Sequence, residues 1–366
     1  MKRLLFICWL TLLAGILSAQ TWSAMDDPNV LPSVACVDVD ISSDGQYAIV
    51  GGSGGGPWFY QRVDATWTKG TNDFDAVTGV TSVVISGDGN YAYCSLDTES
   101  PYIKAFRRTG ANAWTAYNIV TLTACRNVTT DWTGTWVMFT GNVGEDIITY
   151  ERTAVTTWTS RAFAPGTSNV NFLAVDSTGT YAFALQDDRT VSCYFRTVAV
   201  WSTEVISGDT TPGATNPEDV DISNDAMYVA VTTSGHVDGV YVYIYLRSGS
   251  GTSSTWTLQS PDYTMQYNKG CATNEDGTYF FIGDNRVLIR RSDTSYSLKY
   301  TGIYIGTSGR PSISRGANYL AVPGSIDPWI QFYVKRYDAA EVSGVANLAS
   351  VNSVLSVSIK SVNTVE

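Results

Sequence analysis

Histidine is nearly absent. His236 is the only one in 366 residues, and it sits in Ser234-Gly235-His236-Val237-Asp238-Gly239, where it reads as a solvated loop residue. A zinc or iron centre built from several imidazoles is therefore excluded within one subunit. A Ser-His-Asp triad would have to use His236, and no G-x-S-x-G elbow is present. Charge is also scarce, at 16% of residues, with 23 basic against 34 acidic and a net charge of −11. That sign disfavours nucleic acid and anionic membrane as partners. The glycine run Gly51–Gly56 lacks the Lys-Ser/Thr and following helix of a phosphate loop. No cofactor and no metal site is expected.

Long apolar runs are confined to the N-terminus. Lys2 and Arg3 precede Leu4 to Leu17 and then Ser18-Ala19, the n-region, h-region and small-residue ending of a secretory signal. The run is short for a membrane span. We expect residues 1–19 to be a signal peptide and the mature protein to be secreted to the extracellular surface, with no membrane span. Cys8 leaves with the signal. Cys36, Cys94, Cys125, Cys193 and Cys271 remain, with no metal-knuckle spacing. Their odd number requires at least one free or intermolecular thiol in an oxidising compartment. Most read as buried and unpaired; if one pair forms, the candidate is Cys94 with Cys125, on strands of adjacent repeats. Asn127-Val128-Thr129 is the single N-glycosylation sequon.

What is abundant is one repeated unit. Val39 to Val50 reads as strand, Ser-Asp-Gly turn and strand, with period-two alternation on both sides. Aligned on the aromatic after the turn, it recurs at Tyr47, Tyr91, Trp136, Tyr181, Tyr228, Tyr279 and Tyr319, with steps of 44, 45, 45, 47, 51 and 40 residues. The turn varies between copies (Asp-Gly, Thr-Gly, Asp-Ala, Gly-Ala), as a metal ligand could not. A second landmark follows: Tyr60-Gln61-Arg62 with Trp67, Phe106-Arg107 with Trp114, Tyr150-Glu151-Arg152 with Trp158, Phe195-Arg196 with Trp201, and Tyr245-Leu246-Arg247 with Trp256. The sixth copy has Ile289-Arg290-Arg291 and then Tyr296. The seventh has Phe332 to Arg336 and no tryptophan after it.

A period near 45 with strand-only content predicts an all-β, seven-bladed β-propeller over residues 20–343. Thr21-Trp22-Ser23-Ala24 resembles the outer-strand start Thr66-Trp67-Thr68. The N-terminus is therefore expected to supply the missing strand of blade seven and close the ring. The hairpin at Val39 to Gly52 with Trp58 to Trp67, repeated at Val83 to Tyr93 with Phe106 to Trp114, resembles the FG-GAP-type repeat of integrin-α-like propellers and their secreted microbial relatives. WD-repeat-like propellers share the hairpin. The DxDxDG cluster of calcium-binding FG-GAP loops has no counterpart, so calcium binding is not implied.

Asp38 and Asp40, echoed by Glu218-Asp219 and Asp221, could line the central channel and bind a cation or sugar, or could satisfy backbone amides there; we favour the second. The repeated arginines should radiate around the ring and stack on the following tryptophan or pair with a turn carboxylate. The tryptophans should fill the space between sheets. Residues 344–366 form a tail in which Leu355, Val357 and Ile359 alternate with polar residues; it reads as a flexible terminus, as a strand packing back on its own propeller, or as an interaction strand joining a neighbouring subunit. The functional expectation is a secreted structural or adhesive surface protein, with itself or a surface protein or glycan as partner. A carbohydrate-binding module is the alternative, and a propeller lyase or glycosidase the third reading.

Overall fold

The computed structural model describes residues 20–25 and 34–337, apart from short stretches of which the longest are 164–169, 206–215, 301–308 and 324–329. The predicted signal 1–19 and the tail with Leu355, Val357 and Ile359 lie outside the described residues. Contacts divide the chain into a body, Ala24–Val334, and a unit made of the two ends, 1–23 and 335–366.

Among the described residues the regular structure is β, in seven antiparallel sheets. Blade one is Cys36–Ile41, Tyr47–Gly52, Gly55–Val63 and Thr66–Lys69, paired in that order from the inside out. Blades two to six repeat it, with inner strands Val80–Ile85, Cys125–Thr130, Val170–Val175, Asn216–Ile222 and Cys271–Thr273. Blade five carries one extra strand, Tyr263–Met265, on Gly239–Ser248. Blade seven is Ser312–Ile313, Tyr319–Pro323, Ile330–Tyr337 and then Gln20–Ala24. The predicted closure by the N-terminal strand is made, and Met25 N donates to Phe332 O at 2.9 Å.

The two sequence landmarks form a single joint between blades. The ring of Tyr319 in blade seven is held by two groups of blade one. On one side is the turn at Gly45, where a Cβ would come within 2.2 Å of the ring. On the other is Arg62, its guanidinium carbon 4.0 Å from the ring centroid. Arg62 Nε donates to Gly45 O at 2.7 Å and closes the clamp. The same clamp holds Tyr47 between Gly89 and Arg108, Tyr91 between Gly134 and Arg152, and Trp136 between Gly179 and Arg196. Gly45 and Gly89 have φ of 67° and 66°, so glycine is needed both for the turn and for the close approach. Ala226 and Ala317 adopt the same positive φ in blades five and seven.

The arginines thus grip the anchor aromatic of the preceding blade in place of the stacking on the following tryptophan or the carboxylate pairing expected from sequence, although Arg196 also stands 5.8 Å over Trp201, the tryptophan that follows it. In blade two the gripping residue is Arg108; Arg107 pairs across the sheet with Tyr91 and Thr115. The outer tryptophans do fill the gaps between sheets: Trp67 stacks on Phe332 of blade seven at 4.2 Å, and Trp114 on Phe59 of blade one at 4.3 Å.

The turns tolerate variation because the capping oxygen can move. In blade one Asp44 accepts from Gln46 N and from Ser42 Oγ, and Ser42 Oγ accepts from Tyr47 N. In blades three and four an aspartate stands at the Ser42 position. Asp131 Oδ1 takes both Thr135 N and Trp136 N, and Asp176 Oδ1 takes Thr180 N and Tyr181 N.

The candidate disulfide and the candidate glycosylation site are both ruled out. Cys94 and Cys125 are buried thiols with no disulfide between them. Cys94 packs with Ile49 and Phe59 between blades one and two, whereas Cys125 packs with Tyr93 and Phe139 between blades two and three. The two sulfurs lie on opposite sides of the blade-two sheet and cannot bond. Asn127 is 1% exposed and lies on an inner strand, so its amide nitrogen cannot carry a glycan in the folded protein.

Candidate site in the central channel

A cavity of about 180 Å³ runs between the inner strands, lined among others by Asp38, Asp40, Asp219, Asp221, Arg310 and Ser312. An innermost strand has one edge without a neighbouring strand, and its N–H groups need acceptors. In this ring blades one, two, three, five and seven supply them to the next blade. Asp38 Oδ2 accepts from Val83 N at 2.9 Å and Asp40 Oδ2 from Ile85 N at 2.8 Å, from blade one to blade two. Ser82 Oγ accepts from Val128 N at 3.3 Å, Asn127 Oδ1 from Leu173 N at 2.9 Å, and Asp219 Oδ2 from Cys271 N at 3.0 Å. Asp221 Oδ2 takes Thr273 N at 2.6 Å, and Ser312 Oγ takes Ile41 N at 3.1 Å. In blades one to five a register shift precedes the first of these positions, and such a bulge re-aims a side chain.

The placement of aspartate follows from its neighbours. Blade four offers Phe172 and Ala174 at these positions, and neither can accept a hydrogen bond. In blade five, Asp219 Oδ1 and Asp221 Oδ1 therefore take their own Val220 N and Ile222 N, each at 2.9 Å. Blade seven offers Arg310, a donor, and Asp38 Oδ1 likewise takes Val39 N at 3.0 Å. Gly270 of blade six has no side chain to offer, and at the matching position of blade seven Pro311 has no N–H.

Arg310 links widely separated parts of the ring. Its Nη2 meets Asp38 Oδ2 at 2.6 Å and also donates to Ser82 Oγ, while its guanidinium carbon stands 5.7 Å from the ring of Phe172 in blade four. Burial pushes the Asp219 carboxyl up to about 8, Asp221 to about 7 and Asp40 to about 6. Burial also raises Asp38, against the opposing pull of the Arg310 charge and its amide bonds.

At one mouth a circle of hydrogen bonds passes through all seven blades. Ser43 N donates to Gly87 O, Asp88 N to Trp132 O, Trp132 N to Ser177 O, and Ser177 Oγ to Asn224 O. Asp225 N then donates to Glu275 O, Glu275 N to Arg315 O, and Arg315 N back to Ser43 O. Trp132 lies against Gly87, and Arg315 stands 4.7 Å over its ring while pairing with Glu275. Sequence reasoning missed Trp132, Arg310 and Arg315, because each departs from the repeat and a consensus hides departures.

Among the described residues no group of three or more His, Cys, Asp or Glu side chains is placed to hold a metal ion. His236 ends the strand Tyr228–His236, its backbone opposite Gly239, so it does not stand in an open loop; its side chain is outside the described residues.

No family model and no curated protein matches the chain. Solved structures do match in fold. The β-propeller domain of Cps50 (Swd1) from Myceliophteria thermophila superposes with TM-score 0.60 at 10% identity, over 86% of this chain and 99% of that one. Hydrazine synthase from Kuenenia stuttgartiensis gives 0.60 at 12%, over 86% and 100%. A putative 6-phosphogluconolactonase from Bacteroides uniformis gives 0.60 at 12%, over 76% and 88%. These neighbours share the propeller and have unlike functions.

Proposed function

We propose that the chain is an exported, non-catalytic propeller that acts as a structural or adhesive surface protein and joins copies of itself through the tail strand with Leu355, Val357 and Ile359. The observation that carries the non-catalytic part is the engagement of the channel carboxylates. Asp38, Asp40, Asp219 and Asp221 each hold one backbone N–H of their own strand and one of the next blade. A general acid or nucleophile needs an oxygen free for substrate. The acidic composition suits an exterior role, and no helix among the described residues is long and apolar enough to cross a membrane.

The test uses purified full-length protein in sedimentation velocity and negative-stain microscopy across a hundredfold concentration range. Concentration-dependent oligomers or filaments support the reading, and a strict monomer at every concentration ends its self-assembly part. Hydrolysis of 6-phosphogluconolactone, the substrate implied by the Bacteroides neighbour, would overturn the non-catalytic part.

A further inference from the structure

Four large apolar side chains are well exposed among the described residues: Val63, Val155, Val198 and Val200, at 54%, 48%, 89% and 59%. All lie at the hairpins between the two outer strands of a blade, and Val198 and Val200 flank a single hairpin in blade four. Val198 is unusual in a second, independent way. Its φ is 56°, in the left-handed region that a β-branched residue avoids. Blade one solves the corresponding turn with Asp64 at φ 54°, a residue type that enters this region readily. Val200 also departs from the pattern. The residue before the outer tryptophan is Thr66 in blade one, Thr157 in blade three and Thr255 in blade five. Blade three also exposes a valine, Val155, at the Val198 position, and blade two has Ala113 before its tryptophan; blade four alone joins two exposed valines at one hairpin among the described residues, one of them at a conformational cost. Its outermost strand, Val200–Val205, ends its sheet, with no further strand paired to it among the described residues.

We infer that the blade-four outer edge, with Val198 and Val200, is the acceptor for the tail strand Leu355–Ile359 of a second copy. This rests on the self-assembly reading above and supplies the surface it lacks. The donor is chosen by its chemistry and its reach. An edge strand flanked by valines recruits an extended segment with apolar residues on alternate positions, main-chain bonds supplying affinity and side chains supplying register. Leu355, Val357 and Ile359 have that spacing. The strand of blade seven runs to Tyr337. Residue 355 is far enough along the chain to extend roughly 60 Å beyond that point at about 3.3 Å per residue. Blades four and seven are distinct sites, so donor and acceptor differ and the contact is heterologous, which propagates a chain of subunits.

The test compares full-length protein with V198N/V200T, with a deletion of residues 345–366, and with their equimolar mixture. Asn relieves the positive φ at position 198, so the double variant keeps or gains thermal stability, and lost assembly cannot be ascribed to unfolding. The inference predicts that V198N/V200T weakens self-association roughly ten- to hundredfold, the loss from two valine burials. It also predicts that the mixture, which still combines one intact edge with one intact tail, forms heterodimers that stop at two. If deletion of the tail abolishes assembly while V198N/V200T assembles normally, the tail docks elsewhere and this inference fails while self-assembly stands. If full-length protein is monomeric throughout, the self-assembly reading fails and this inference fails with it.

Discussion

Arg310 Nη2 lies 2.6 Å from Asp38 Oδ2, and the pair ties the last blade to the first. Both side chains are largely withdrawn from water, at 17% and 5% exposure. Removing one partner of such a pair leaves the other charge buried and uncompensated. R310M is expected to destabilise the protein by about 3 kcal/mol in equilibrium urea unfolding. D38N in the same background should recover part of that loss. A cost of R310M below about 0.5 kcal/mol, the range of ordinary surface changes, would show that the seam does not depend on it.

Stability should fall as pH rises through neutrality. Asp40, Asp221 and Asp219 are raised by burial to about 6, 7 and 8 in the fold, against about 3.9 unfolded. The folded state therefore binds more protons than the unfolded state between those limits. The stabilisation is fully present below about pH 4 and is lost progressively as pH climbs to about 8. Urea midpoints should be higher at pH 5 than at pH 8.5. D221N should reduce the difference, at the cost of one of the two amide bonds that Asp221 accepts. Equal midpoints for the wild-type protein would contradict the burial of these groups.

The aromatic clamp predicts that lysine cannot replace arginine. Arg108 stacks on Tyr47 at 4.2 Å, donates to its hydroxyl and to Asn90, and binds Gly89 O. R108K keeps the charge but loses the planar fork, and should cost about 1–2 kcal/mol. G45A should cost at least as much, because a methyl there meets the Tyr319 ring. Chemical denaturation of both variants measures this, and a neutral R108K would remove the clamp from the account of blade packing.

Thiol chemistry should be silent in the native state. Cys36, Cys94, Cys125, Cys193 and Cys271 are buried and form no disulfide, and burial pushes the Cys36 and Cys94 thiols up to about 12. A chromogenic disulfide reagent should label them only after denaturation, and reductant should leave the melting temperature unchanged. A reductant-sensitive melt would point to a disulfide.

The local pattern determined the architecture. The seven anchor aromatics, their turns and the Arg-Trp landmarks are short-range signals, and each copy confirmed the others, so blade number and closure by Thr21 to Ala24 were legible from spacing alone. The direction of the contacts was not. That Arg62 grips Tyr319, far away in sequence, follows from how adjacent twisted sheets meet, which no single repeat contains. The same holds for Cys94 and Cys125, adjacent in the alignment yet on opposite sides of one sheet, and for Asn127, a sequon in text and an inner-strand amide acceptor in space. The channel was decided by tertiary structure alone. Asp38, Asp219 and Asp221 stand where Arg310, Phe172 and Ala174 in the preceding blades cannot accept the hydrogen bonds that an unpaired inner edge requires, and that reason appears only once the ring has closed.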